Sequence, residues 1–214
     1  MKTLKNPYLQ VEVKGGKSFG GNQGWMPYEF LKKSACGVIG AADVLLYLKG
    51  KYQMSESEYI NFAKRLWKWY LPVIPRFGMN SLMLTFGMNR YFRKEQMPYR
   101  AIWNIGGRKI LSLIDRMLTD DIPVIFSVGP NFPKFWGKQM VRLYIKNAQG
   151  NYLPVSKVKA HFMIITGRDG MWFQISSWGK EYYINFVEYQ EYVRQHSNFV
   201  LSNIICIKTI KKLK

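Results

Sequence analysis

The sequence predicts an α+β fold in which a mainly helical lobe packs against a mainly antiparallel sheet lobe. Apolar residues recur at helical spacing through much of residues 1–120, whereas short strand-like runs separated by turns fill residues 121–210. The stretch from Gly37 to Leu48 is apolar on nearly every face, which is typical of a buried central helix. No internal repeat or low-complexity linker interrupts the chain, so we expect residues 1–214 to form a single domain.

Three further helices are predicted in the first lobe. The segment from Ser55 to Glu58 places a capping residue and acidic side chains at a helix start, and the apolar periodicity then runs to about Tyr70. Pro72 ends this helix. Weaker helical patterns follow over residues 80–92 and 107–119.

The second lobe alternates strand-like runs with turn signals. The turn Arg168-Asp169-Gly170 separates two of these runs, which predicts a β-hairpin. A short helix is expected over residues 188–196. The predicted strands cover residues 122–128, 140–146, 161–166, 171–176, 182–186 and 199–208.

The chain is strongly basic, with 32 Lys and Arg against 13 Asp and Glu and a net charge of +19. This field attracts anionic surfaces and acidic partners. The lysines are dispersed, and neither zinc-finger spacing nor a recognition helix is present, so we expect no specific nucleic-acid binding.

Targeting signals are weak in this sequence. The N-terminal residues carry positive charge but lack an apolar core and a small-residue cleavage site, so we expect no secretory signal. The longest apolar run, residues 35–48, contains Asp43 and is too short to span a bilayer. We expect no transmembrane segment and a soluble, cytoplasmic protein, with an extracytoplasmic location left open. Asp43 itself is expected to be a buried, hydrogen-bonded structural acid.

The two cysteines and two histidines indicate neither a disulfide framework nor a metal site. Cys206 lies in an apolar strand-like run and is expected to be an inert buried thiol. His196 ends a charged helical segment and is expected to be a surface residue. These four side chains lack zinc spacing, so we predict no metal and no other cofactor.

Four residues predict a nucleophilic thiol site. Cys36 begins the apolar helix, where the helix dipole favours a thiolate. His161 opens a strand far downstream and is the expected base. Ser176 ends the partner strand of the hairpin and is expected to orient the imidazole, with Ser177 as the alternative. Gln23 lies in a Gly-rich loop before Cys36, where its amide N–H is expected to stabilise an oxyanion.

This set, together with Trp178-Gly179 after the serines, resembles the papain-like cysteine peptidase superfamily. Cys36-Gly37 leading into an apolar helix is similar to the bacteriocin-processing, double-glycine peptidase branch. The resemblance covers roughly residues 20–186 and implies a papain-like fold and cleavage of peptide or amide bonds through a Cys–His acyl-enzyme. Two positions depart from the family pattern: Gly37 stands where papain has an aromatic residue, and Ser176 stands where relatives have Asn or Asp.

We expect Gly21, Trp25, Ala160 and Trp178 to line the substrate cleft, with Trp178 mainly shielding the contact between His161 and its serine. The basic surface favours acidic peptide or protein substrates. Two alternatives stay open at this point. The serine at the third position is compatible with a catalytically weak binding or immunity-type module, and the same thiol is compatible with an acyl or amide transferase.

Overall fold

The computed structural model describes residues 1–210 and confirms a mixed α+β architecture with a large antiparallel sheet. Within that range six α-helices are formed: α1 (Glu29–Ser34), α2 (Cys36–Leu48), α3 (Glu56–Trp69), α4 (Ser81–Lys94), α5 (Ile110–Thr119) and α6 (Phe186–His196). The strands are β1 (Lys2–Thr3), β2 (Gln10–Val13), β3 (Gly16–Phe19), β4 (Gln53–Ser55), β5 (Tyr99–Trp103), β6 (Val124–Val128), β7 (Val141–Lys146), β8 (Tyr152–Val158), β9 (His161–Asp169), β10 (Trp172–Ser177), β11 (Lys180–Asn185) and β12 (Ile204–Thr209).

Nine strands form the large sheet, in the order β5-β12-β6-β9-β10-β11-β7-β8, with β1 added beside β9. Every pairing in it is antiparallel, and β9 lies between β6 and β10. The predicted hairpin is confirmed as β9–β10. A smaller sheet pairs β3 and β4 on either side of β2.

The central helix α2 packs directly against β9. Every residue from Gly37 to Tyr47 is buried, as its uniform apolarity predicts. Two glycines one turn apart allow this close approach: a Cβ at Gly40 would lie 3.2 Å from Ile164 Cδ1, and a Cβ at Gly37 would lie 3.4 Å from Phe162 Cδ2. The small residues therefore bring the start of α2 next to the start of β9.

Two of the predicted helix starts, those of α3 and α4, are confirmed by their caps. Ser55 and Glu58 form a reciprocal capping box at α3, and Asn80 accepts from the Met83 N–H at α4. Asn185 caps α6 in the same way.

Several elements were not predicted. Helix α1, strand β8 and the small β2–β4 sheet have no counterpart in the sequence analysis. The large sheet also recruits β1 and β5 from residues 1–120, the part expected to be mainly helical. The buried apolar side chains form one cluster that includes residues from both lobes.

None of the helices within residues 1–210 is both long and apolar enough to cross a membrane.

Candidate active site

Cys36 and His161 meet at the junction of the two lobes. Cys36 is the first residue of α2, and His161 is the first residue of β9. Both side chains line a small inner cavity of about 20 Å³, which Gln23 and Ser177 also border. The packing of α2 on β9 thus brings together residues that are far apart in the sequence.

The hydrogen-bond partner of His161 is Ser177. Its Nε2 lies 2.9 Å from the hydroxyl oxygen of Ser177. Ser176, the residue that we expected in this role, donates instead to the carbonyl of Phe19 at 2.9 Å. Successive side chains of a strand point to opposite faces, so only one of two adjacent serines can reach the imidazole. The prediction that Ser176 contacts His161 is therefore wrong, and the stated alternative, Ser177, makes the contact.

Trp178 covers the imidazole. Its ring stacks on His161 with a centroid separation of 4.6 Å and an interplanar angle of 22°. The backbone of Trp178 has a φ of +50°, and its carbonyl accepts a hydrogen bond from Asn22 Nδ2 at 3.1 Å. The side chain lies where we expected it to shield the contact between His161 and its serine.

Gln23 lies at the rim of the inner cavity in a short 3₁₀ turn, Gln23–Trp25. Its Nε2 donates to the Lys32 carbonyl at 2.8 Å, which fixes the orientation of the amide. An amide nitrogen carries two hydrogens, so one remains for a second acceptor. The Oε1 atom is buried and has no hydrogen-bond partner within residues 1–210.

The Gly-rich loop that carries Gln23 is tied to the turn after Ser177. The Phe19 N–H donates to the Gly179 carbonyl, and the Gly179 N–H donates to the Gly21 carbonyl, each at 2.9 Å. Gly20 has a φ of +76°, and a Cβ there would lie 2.4 Å from both Asp43 Oδ2 and Ser176 Oγ. Only glycine fits this backbone position, where the loop closes over the buried polar groups.

The buried carboxylate of Asp43 holds the Gly-rich loop in place through hydrogen bonds. The carboxylate is only 2% exposed and accepts hydrogen bonds from Tyr59 Oη at 2.6 Å, Tyr8 Oη at 2.9 Å and the Gly21 N–H at 3.0 Å. Burial raises its pKa to about 6, an effect that the bonds from Tyr59 and Tyr8 reduce. The expectation of a buried, hydrogen-bonded structural acid is confirmed.

Burial favours the neutral forms of both members of the Cys–His pair. It raises the pKa of the Cys36 thiol, although backbone N–H groups, that of Phe162 foremost, offset part of the rise. It lowers the pKa of His161 to about 4. The expected thiolate at the helix start is therefore not the favoured resting form, because desolvation outweighs the helix dipole here.

Among the described residues no hydrogen bond joins the Cys36 thiol to the imidazole. Catalytic hydrogen bonds are often long in unliganded enzymes and shorten when substrate binds. The resting arrangement is thus a neutral thiol and a neutral imidazole that line the same cavity.

Gly37 has a steric explanation. A Cβ at this position would lie 2.7 Å from Met79 Sδ and 3.4 Å from the Phe162 ring. The space that an aromatic side chain after the cysteine would need is occupied by Met79. This departure from the papain pattern therefore reflects the packing on one side of Cys36.

An outer cleft of about 680 Å³ opens beside the pair. Cys36, His161 and Ala160 line it. Apolar side chains also line it from the segment before α4 and its first turn, from the end of β6 and the loop after it, and from the loop before β12: Ile74, Phe77, Met79, Leu82, Met83, Val128, Pro130, Phe135, Val200 and Leu201. Lys33 and Arg76 are the basic residues that line it, and within the described chain no Asp or Glu borders it. A cleft of this size, mostly apolar with a few polar groups, is in the range of ligand-binding pockets.

The four predicted cleft residues fall in different places. Ala160 lines the outer cleft, whereas Gly21 and Trp178 border the inner cavity. Trp25 borders neither and instead packs edge-on against Tyr59 at a centroid distance of 5.8 Å. The sequence did not predict the outer cleft because its walls come from several separate segments with no shared motif.

Within residues 1–210 no group of three or more His, Cys, Asp or Glu side chains is placed to hold a metal ion. Cys206 is buried in β12, and burial raises its pKa.

No protein-family model matches this chain, and no curated protein sequence matches it.

Proposed function

We propose that this protein is a papain-like thiol hydrolase that cleaves peptide or amide bonds through Cys36. One observation carries the proposal: Cys36 and His161, at the starts of a buried helix and a central strand, line one cavity and also border the outer cleft. The Ser177 hydroxyl and the Gln23 amide complete the arrangement that acyl transfer needs. The residue order along the chain supports membership of the papain-like superfamily.

The proposed reaction starts from the neutral pair. An imidazole that donates its Nε2–H to Ser177 has an unprotonated Nδ1, which accepts the Cys36 proton as Sγ attacks the substrate carbonyl. The resulting oxyanion accepts hydrogen bonds from the Gln23 side-chain N–H and from the Cys36 backbone N–H, since the first N–H groups of a helix lack intrahelical partners.

The acyl-enzyme then forms and is hydrolysed. His161 returns the proton to the leaving amine as the C–N bond breaks, which leaves a thioester on Cys36. A water molecule attacks this thioester while His161 accepts its proton, and the carboxylic acid product and the free thiol are released.

The cleft supports a peptide or protein substrate with apolar and acidic residues near the scissile bond. Its walls are apolar, and Lys33 and Arg76 provide positive charge at its edge. We place the enzyme in solution or at an anionic surface rather than within a bilayer.

A second candidate function is a papain-like binding module with little or no turnover. The observation that favours it is the Ser177 hydroxyl at the position of the orienting group, because a hydroxyl stabilises an imidazolium less than a carboxylate does. A transferase that uses the same thiol differs from the hydrolase only in the acceptor.

The test is cleavage of a peptide library prepared from a whole proteome, read by mass spectrometry. We expect new peptide termini with the wild-type protein, none with Cys36→Ala, and wild-type cleavage with the matched control Cys206→Ala. Equal cleavage by wild type and Cys36→Ala, or none by either, would contradict the hydrolase proposal. Adding a primary amine separates the transferase, which would yield amide products.

A further inference from the structure

One face of α4 presents apolar and basic side chains together to solvent. Leu82, Phe86, Arg90 and Arg93 are all exposed, and their spacing of four, four and three residues places them along one line of the helix. Phe86 is 66% exposed. We refer to these four residues as the α4 stripe.

An exposed tryptophan adjoins the basic end of the α4 stripe. Trp69, at the end of α3, shares a surface hollow with Arg90, Arg93 and Lys94. The Lys68 ammonium lies 5.1 Å from the Trp69 ring centroid. Aromatic rings and cations are therefore interleaved at this end rather than separated into patches.

The apolar end of the α4 stripe reaches the mouth of the outer cleft. Leu82 and Phe77 line that cleft on one side, and Phe135 lines it from another loop. Phe77 is 85% exposed, and Trp136, next to Phe135, is 80% exposed. Large apolar side chains that stand out into solvent on two separate segments mark an interaction surface.

The chain segment that forms most of α3 and α4 carries only positive charges. Between Glu58 and Glu95 the sequence has no acidic residue and seven basic ones: Lys64, Arg65, Lys68, Arg76, Arg90, Arg93 and Lys94. The outer face of α3 adds to the same field, because Lys64, Arg65 and Lys68 are exposed on it. A partner that covers this face must be negatively charged.

We propose that the α4 stripe, with Phe77 and Trp69, is a docking surface for an anionic phospholipid membrane. Exposed aromatic and aliphatic side chains insert into the headgroup region, and the surrounding Lys and Arg bind the lipid phosphates. Nucleic acid fits less well, because the aliphatic Leu82 and the apolar end of the stripe give it neither stacking nor phosphate contacts. A peptide in the outer cleft would cover Phe77 and Leu82 but not Arg93, about 16 Å further along the helix.

Docking of this kind places the mouth of the outer cleft beside the membrane surface. Combined with the proposed hydrolase function, on which this preference depends, it favours substrates whose cleavage site lies close to the headgroups. The docking surface itself does not depend on the thiol.

Vesicle flotation with the full chain tests the proposal. We expect binding to vesicles of phosphatidylcholine mixed with phosphatidylglycerol, weak binding to pure phosphatidylcholine, and loss of binding as salt is raised. Phe77→Ser combined with Phe86→Ser, and separately Arg90→Glu combined with Arg93→Glu, should each weaken binding by about tenfold or more. All four side chains are exposed, so the fold is expected to tolerate these changes.

The matched control reverses two exposed charges outside the α4 stripe. Lys157→Glu with Lys180→Glu, on β8 and β11, changes the net charge by the same amount and should weaken binding far less. Absence of binding to anionic vesicles, equal losses in the two charge-reversal variants, or binding of a single-stranded oligonucleotide with no vesicle binding would each overturn the proposal. Cys36→Ala should bind vesicles like wild type, so failure of the hydrolase proposal and failure of the docking proposal are distinguishable.

Discussion

The imidazole Nε2 of His161 lies 2.9 Å from the hydroxyl oxygen of Ser177, while the adjacent Ser176 points away and donates to the Phe19 carbonyl. The hydroxyl fixes the direction of the ring but brings no negative charge to it. Burial consequently lowers the pKa of His161 without an opposing charge to raise it. The two adjacent serines thus make different contacts, Ser177 with the imidazole of His161 and Ser176 with the Gly-rich loop.

Replacing Ser177 with Ala should slow the proposed reaction. The imidazole then loses its orienting hydrogen bond, a loss of about 1.5–3 kcal/mol that corresponds to a fall in kcat of roughly 10- to 100-fold. The measurement is steady-state cleavage of a peptide identified from the library digest. Ser176→Ala is the matched control, and a kcat close to wild type is expected for it. The reverse order of effects would assign the orienting role to Ser176.

His161 should titrate well below the usual range for histidine. We expect a pKa of about 4, visible as the histidine ring proton shifts in NMR spectra recorded across pH, because the ring is buried and lacks a carboxylate partner. The rate of hydrolysis should then hold from neutral pH down to about pH 5 and fall as the pH drops through 4. Ser177→Asp should raise this pKa and move the acid limb upward. An unchanged titration near 6.5 in the wild type would show that the ring is solvated.

The lowered pKa of His161 also makes the stability of the fold depend on pH. The folded pKa of His161 is lower than the unfolded value of about 6.5, so its contribution is fully present above pH 6.5 and is lost as the pH falls towards 4. Asp43 acts in the opposite direction, because its folded pKa of about 6 is raised and its contribution is lost as the pH rises towards 6. Between pH 4 and 6 a rise in pH therefore stabilises the fold through His161 and destabilises it through Asp43. Replacing either residue should reveal the pH dependence of stability that the other one causes.

Much of the fold follows from local signals in the sequence. The boundaries of α2, α3 and α5 match within a few residues, because uniform apolarity, a capping box and helical spacing each leave a clear pattern. Strand β8 was missed because most of its side chains are exposed, so it shows no apolar alternation. The small sheet was missed because β2, β3 and β4 are short and mostly polar.

Which of the two serines contacts His161 depends on a β-bulge between β9 and β10, and the sequence does not reveal this bulge. The pairing of β9 with β10 changes register between Gln174 and Ile175, since Gln174 faces Gly167 and Ile175 faces Ile165. Such a bulge leaves Thr166 without an opposite residue and changes which positions lie beside each other further along the hairpin. The elements that carry Cys36 and His161 were predictable, whereas the contact made by one side chain beyond the bulge was not.

Removing the Asp43 carboxylate should destabilise the protein and loosen the Gly-rich loop. Asp43→Ala leaves the Tyr8 hydroxyl and the Gly21 N–H buried without this acceptor, and leaves the Tyr59 hydroxyl only its longer bond to the Ile39 carbonyl. The expected cost is about 3 kcal/mol in the free energy of unfolding. Urea denaturation at pH 7 measures this change in the free energy of unfolding. Asp120→Ala, at an exposed position that ends α5, is the control and should change little. Equal midpoints for the two variants would show that the buried network is dispensable.

Gln23→Ala should lower kcat more than it changes KM. The amide is expected to bind the oxyanion rather than the ground-state carbonyl, and removal of one such donor typically lowers kcat about 10²- to 10³-fold. The measurement is again steady-state cleavage, paired with a thermal melt. A lower melting temperature with an unchanged kcat would instead limit Gln23 to its bond with the Lys32 carbonyl.

The central claim is that His161 activates Cys36 as a nucleophile, and the most direct measurement is covalent trapping of the thiol. The protein is incubated with a peptidyl epoxide, and the rate of adduct formation is read by intact mass with peptide mapping. We predict a single adduct on Cys36, formed at least about tenfold more slowly in His161→Ala and at the wild-type rate in His196→Ala, which removes the other histidine. Equal rates in all three proteins, or an adduct on Cys206 instead, would contradict the activation of Cys36 by His161.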